Sequence, residues 1–270
     1  MLPGSPSPRG GKLRPAFALP LLRDPEMTHG KIIRTRRAPC AAAAVCAGLL
    51  AAFAVAAPRA MAAEASGPSL DFNLGANTDY VFRGVSQTDN DPSVFGGADA
   101  SLGMAYAGVW VSNVDFGNGT DIEFDLYAGI KPTLGPVSLD IGVLYYGYTD
   151  QPAGSHEDYW EGKVTASIPA GPATLGAALY YSPEFFGKTG DASYYEVNAA
   201  VPIGETKFTV SGALGYQQVK GPLDYTSWNL GVGYSLNDHV GLDVRYFDTD
   251  EHRFGSIYDS RVVAGIKLIF

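Results

Sequence analysis

The sequence predicts an all-β fold, a single transmembrane antiparallel β-barrel of about twelve strands with both termini on the periplasmic side. Three observations predict it. From about residue 70 onward apolar and polar residues alternate with period two, so that each segment has one apolar face. Five tight turns alternate with six longer polar connections, and these eleven connections imply twelve strands. The chain stops inside an apolar strand, "VVAGIKLIF", on Phe270, where a soluble domain would usually fray into polar residues.

The first segment, residues 1–26, is rich in Pro, Gly and Arg and reads as a non-native leader, with translation expected to start at Met27. Residues 27–63 carry the basic run "KIIRTRR", an alanine-dominated apolar run and the small-residue site Ala60-Met61-Ala62, the pattern of a secretory signal peptide. The alternative, a membrane-spanning helix of about 20 apolar residues, fits less well with a cleavage site directly after the run. Both cysteines, Cys40 and Cys46, lie inside that run, so the mature chain is expected to have no disulfide or thiolate chemistry. Removing the leader and signal takes away nine basic and two acidic residues, which leaves 10 basic against 26 acidic, a formal −16. Nucleic acid is excluded as a partner by that balance, since phosphate contacts depend on clustered Lys and Arg.

The remaining segment, residues 64–270, is expected to be the barrel. Its first strand is read as running to Arg83, with Asp71, Asn73, Asn77, Asp79 and Arg83 on the polar face. The fourth alternates Ile122, Phe124, Leu126, Ala128 and Ile130 with Asp121, Glu123, Asp125, Tyr127, Gly129 and Lys131. Val137, Leu139, Ile141, Val143 and Tyr145 mark the fifth, and Phe208, Val210, Leu214 and Tyr216 the ninth. Trp228 to Tyr234 and Val240 to Tyr246 repeat the pattern, the latter with Asp243 and Arg245 opposite. In the last strand Val262, Ala264, Ile266, Leu268 and Phe270 share one purely apolar face. With an even strand count both ends lie on one side, so the first and last strands can pair.

Such a pattern suits either a soluble sandwich with its apolar faces inward or a membrane barrel with them outward. Strands of 10 to 14 residues exceed the usual globular length of about 5 to 6 and match the roughly 9 to 11 needed to cross a bilayer obliquely. Aromatic clusters at strand ends, such as Tyr145-Tyr146, Tyr159-Trp160, Tyr180-Tyr181 and Tyr194-Tyr195, are expected to form the interfacial girdle. Outer-membrane lipid is then the first partner, in a Gram-negative envelope.

The ending "GIKLIF" resembles the C-terminal insertion signal of bacterial outer-membrane barrels, with Phe270, Leu268 and Gly265 on the matching positions and Val263 where a polar residue is common. The resemblance implies recognition of the last strand by the barrel assembly machinery. A second resemblance covers nearly the whole mature chain: "NTDYVFRGVSQTDNDPSVFGGADASL" and "YAGVWVSNVDFGNGTDIEFDLYAGI" resemble the TorF family of porins, most clearly through Tyr80 to Gln87 and Pro92. It implies a passive channel for small solutes or ions, without a cofactor and without a chemical step.

The expected lumen-lining residues are the acids Asp71, Asp79, Asp99, Glu123, Asp125, Asp140, Glu161, Glu196 and Asp243, facing Arg83, Lys131, Lys163, Lys207, Arg245 and Lys267. The excess of acids predicts a preference for cations. Arg83 is read either as an anion contact or as a bidentate ion pair that braces the barrel. A plugged structural or adhesive barrel is the main alternative. An enzyme is the lesser one: His156, His239 and His252 all fall in loops or turns, and only Asp248, Asp250 and His252 in "DTDEHRF" offer acid-base groups together. Asp89 and Asp91 do not form an EF-hand loop, and no metal site is expected.

Overall fold

A computed structural model describes residues 67–270. The leader expected over 1–26 and the signal peptide over 27–63 lie outside the described residues. Twelve strands build the wall: β1 (Ser69–Asn77), β2 (Ser93–Leu102), β3 (Ala105–Asn113), β4 (Ile122–Ile130), β5 (Val137–Tyr148), β6 (Tyr159–Ala170), β7 (Ala173–Ser182), β8 (Ala192–Pro202), β9 (Phe208–Val219), β10 (Tyr225–Ser235), β11 (Val240–Thr249) and β12 (Arg261–Ile269). Each pairs antiparallel with its sequence neighbours, and β1 pairs with β12 in the register Asn73↔Ile269 to Asn77↔Gly265, which closes the ring. Closure leaves no unpaired edge.

Register shows why the fold is turned inside out. Across β3 to β6, one row of partners reads Val109, Leu126, Tyr145 and Trp160, and the next reads Trp110, Asp125, Tyr146 and Tyr159. The first row faces outward and the second is buried inside. A slip of one residue would exchange the two faces. Large apolar side chains stay exposed all around the outer wall, including Leu70 at 60%, Val94 at 61% and Val262 at 66%. A continuous apolar belt on this scale requires lipid or a partner surface to cover it.

The two ends differ. At one end the strands turn tightly, with glycine at positive φ opening the turn at Gly103 (59°), Gly135 (60°) and Gly171 (62°), as hairpin turns demand. The first described strand begins and the last one ends at this end, where Phe270 N donates to Phe72 O at 2.9 Å. At the other end lie the longer connections, and the one between β1 and β2 departs from expectation. The first strand does not run to Arg83. It stops at Asn77, and Val81–Phe82 pairs with Val85–Ser86 in a small hairpin inside the lumen. The cause is local, because Arg83 (φ 46°) and Gly84 (φ 86°) form a two-residue turn with both central residues left-handed.

Around this inner hairpin the loop end of the lumen is packed like a soluble core. Tyr80, Phe82, Trp110, Leu144, Tyr146, Tyr159 and Phe185 form one cluster, and Val85, Tyr225 and Tyr258 a second. The girdle expectation is corrected accordingly: each aromatic doublet sends one ring each way. Trp160, Tyr181 and Tyr195 are exposed on the outer wall, whereas Tyr159 and Tyr194 are buried within and Tyr180 is half-buried. Adjacent residues on a strand must face opposite sides.

Candidate functional site

The candidate site is the lumen, and the inner hairpin divides it. At the hairpin tip the Arg83 guanidinium donates from Nη2 to Glu161 Oε2 at 2.7 Å and from Nη1 to Glu161 Oε1 at 3.0 Å and Gln217 Oε1 at 2.9 Å. The Tyr194, Phe82 and Tyr180 rings surround it, with centroids at 4.3, 4.5 and 4.9 Å. A planar guanidinium suits this fork-and-stack geometry in a way an ammonium cannot. Of the two sequence readings of Arg83, the geometry is that of the bracing pair. The root of the hairpin is pinned by Asp79, which accepts from Ser86 Oγ at 2.7 Å, Thr88 Oγ1 at 3.0 Å and Arg261 Nη1 at 2.9 Å. The hairpin therefore reaches from β12 across to β6 and β9.

Beside it on β4, Glu123 and Asp125 are fully buried. Tyr80 donates its hydroxyl to Glu123 Oε1 at 2.6 Å, and neither carboxylate has an ion-pair partner among the described residues.

Between the hairpin and the tight turns lies a chamber of about 440 Å³. Its wall holds Lys163 Nζ on Asp140 Oδ2 at 2.9 Å, and Arg245 on Asp243 at 3.1 and 3.2 Å, with further bonds to Asn229 Oδ1 at 2.7 Å and Ser211 Oγ at 2.9 Å. Glu196 accepts from Tyr194 at 3.0 Å and Asn198 at 2.9 Å, and Lys267 lines the same space. Nearer the tight turns, Asp71 faces Asp99 across β1 and β2, Tyr127 donates to Asp99 at 2.7 Å, and the Lys131 ammonium sits 4.5 Å above the Tyr106 ring. Lys207 lies outside the strands, in the turn before β9, where its ammonium donates to Leu236 O at 2.7 Å.

Residues the sequence reading missed complete the picture. Arg261 and Gln217 carry inward parity on β12 and β9, a signal that alternation already contained. Tyr106 escaped because only tertiary structure brings its hydroxyl to Asp140, at 2.6 Å. At the loop end His252 pairs with Asp248 at 2.7 Å, while Asp250 is spent on the Thr226 amide at 2.7 Å, so the three acid-base groups of "DTDEHRF" are not assembled on one point. Among the described residues no group of three or more His, Cys, Asp and Glu is placed to hold a metal ion.

Residues 61–267 match the model of a family described as "Bacterial protein of unknown function (Gcw_chp)". No curated protein is similar in sequence. Among solved structures, the KdgM porin superposes with a TM-score of 0.51 at 11% identity, covering 74% of this chain and 98% of its own. The same values hold for "KdgM porin in complex with disordered oligogalacturonate". The NanC porin gives a TM-score of 0.47 at 11% identity, with 74% and 98% covered. At such identity the likeness speaks for the barrel fold alone.

Proposed function

The chain belongs to the Gcw_chp family of bacterial proteins, and we propose that it acts as an outer-membrane channel for small solutes or ions, constricted by its own inner hairpin. The observation that carries the reading is a closed twelve-strand barrel with an apolar outer wall and a polar-lined chamber inside. The resemblance of Tyr80 to Gln87 to the TorF porins supports it from the sequence side. The same reading puts the tight turns and both termini in the periplasm and the longer loops outside the cell, following a signal-peptide export of residues 27–63. Gly265, Leu268 and Phe270 would then present the last strand to the assembly machinery. Phe270 is 65% exposed on the outer wall, open to recognition.

The carboxylates beside the hairpin are the ones expected to bias the path toward cations. Of the lumen acids, Asp79, Asp140, Glu161 and Asp243 each have a basic partner. Among the described residues Glu123, Asp125, Glu196, Asp71 and Asp99 have no ion-pair partner, and with the hairpin displaced Glu123 and Asp125 would line the path and favour cations.

A second reading has its own observation. The hairpin buries Phe82, Val85 and Gln87 at 0–1% exposure, as a permanent plug would. Planar-bilayer conductance under a salt gradient separates the two. Discrete steps whose reversal potential favours cations, and less so in Glu123→Gln/Asp125→Asn, uphold the channel. A folded barrel that stays silent even when residues 80–87 are replaced by a short Gly-Ser link would make it a structural barrel.

A further inference from the structure

The chamber's lining is unusual for an ion path, because its charges cancel. Four acids, Asp79, Asp140, Glu196 and Asp243, and four bases, Arg83, Lys163, Arg245 and Lys267, line it. Asp140 and Lys163 pair at 2.9 Å and Asp243 and Arg245 at 3.1 Å, while Asp79 and Arg83 are paired with Arg261 and Glu161. An ion meets no surplus of opposite charge here. At the Lys163–Asp140 and Arg245–Asp243 pairs, the separate ammonium and carboxylate of a zwitterion would have to compete with bonds already made.

A hydroxyl faces no such competition. It donates and accepts at once, so it can use a remaining lone pair of Asp140, whose side chain is 17% exposed, without breaking the bond that Lys163 makes to it. The side-chain amides of Asn198 and Asn229 add donor and acceptor beside each other. Room for a solute comes from small residues on the inner face of β7 to β9, with Gly176, Ala178, Ala200 and Ala213 along the wall. Phe247, 9% exposed, is the lining ring that gives an apolar contact at the far side of the same space. At about 440 Å³ the chamber falls within the roughly 300–1,000 Å³ of small-molecule sites.

We infer that this chamber is a binding site for a neutral polyhydroxylated solute of mono- or disaccharide size, held by paired charges, amides and a ring face. The inference rests on the channel reading for access to the chamber. It is tested with the folded barrel in proteoliposomes, comparing a neutral hexose with a zwitterionic amino acid of similar mass by osmotic swelling. Hexose entry should saturate with concentration and exceed amino-acid entry, and Asn229→Ala should raise its half-saturation about tenfold, as the loss of a polar contact does. Equal, non-saturating entry of the two, or faster amino-acid entry, would overturn the site and leave the channel standing. If neither solute enters and no current flows, the channel reading fails. Calorimetry of the folded barrel in detergent then judges the site by itself: saturable hexose heat weakened by Asn229→Ala upholds it, and no heat overturns it.

Discussion

At residue scale, the hairpin tip depends on two side chains and one missing one. Arg83 and Glu161 are 3% and 2% exposed, and removing one partner of such a buried pair leaves a bare charge. Arg83→Ala should cost about 3–5 kcal/mol locally and widen the conductance steps, and Arg83→Lys should restore little, since an ammonium cannot fill the fork and the ring stack together. Gly84 is the missing side chain: it sits at φ 86°, and a Cβ there would lie 2.8 Å from Ser227 Cβ and 2.9 Å from Thr249 Cγ2. Gly84→Ala should therefore destabilise by about 1–3 kcal/mol, read as an earlier midpoint in urea. Outside the wall, the hydrogen bond to Asp248 raises the pKa of His252 above its ordinary 6.5. The folded pKa is the higher one, so the pair's contribution is complete below about pH 6.5 and fades as pH rises through the raised value. NMR titration of the His252 ring should show that raised midpoint, returning toward 6.5 in Asp248→Asn.

The elements are held by a device that recurs strand after strand: an inward glycine leaves a slot across which a neighbour's large side chain lies flat. Tyr194 lies over Gly215, Tyr127 over Gly108, Tyr106 over Gly129 and Gly142, and Arg245 over Gly231. Flat side chains keep the chamber open and bring the tyrosine hydroxyls to wall carboxylates, Tyr106 to Asp140, Tyr127 to Asp99 and Tyr194 to Glu196. Gly215→Ala should drive the Tyr194 ring off the wall and cost about 1–3 kcal/mol. Gly162, with nothing within 4 Å of a would-be Cβ, is the control, and Gly162→Ala should be neutral or gain up to about 0.5–1 kcal/mol. Urea midpoints of the two variants in one detergent make the comparison. The strands themselves were legible in the sequence because their period of two is enforced at every position. The slots were not, since a glycine reads as weak strand until the diagonal neighbour across the ladder is known. The inner hairpin was hidden for a similar reason, as Tyr80, Phe82 and Arg83 keep the alternation of a strand while Gly84 turns the chain back.

On the scale of the described barrel, an apolar-faced wall encloses two unlike compartments: a packed half at the long loops and a hollow, polar-lined half toward the tight turns. Replacing residues 80–87 by a flexible link should leave the twelve-strand ladder intact and raise unitary conductance several-fold, as expected if the hairpin sets the constriction. An unchanged conductance would move the constriction elsewhere. The excess of acids over residues 64–270 was legible early, but its meaning was not, because the pairing of Asp140, Glu161 and Asp243 with Lys163, Arg83 and Arg245 depends on strands that composition cannot place side by side. The closing ladder has a consequence in time. Ten of the twelve strands meet only partners adjacent in sequence, but Phe72 must find Phe270, almost the whole barrel away along the chain. That contact carries the largest loop-closure entropy in the molecule and should form last, so assembly waits for the final residues of the chain. Once shut, the ring offers no terminal strand to peel. Disassembly must break an internal ladder in one step, which makes the native lifetime a matter of barrier height more than of equilibrium stability.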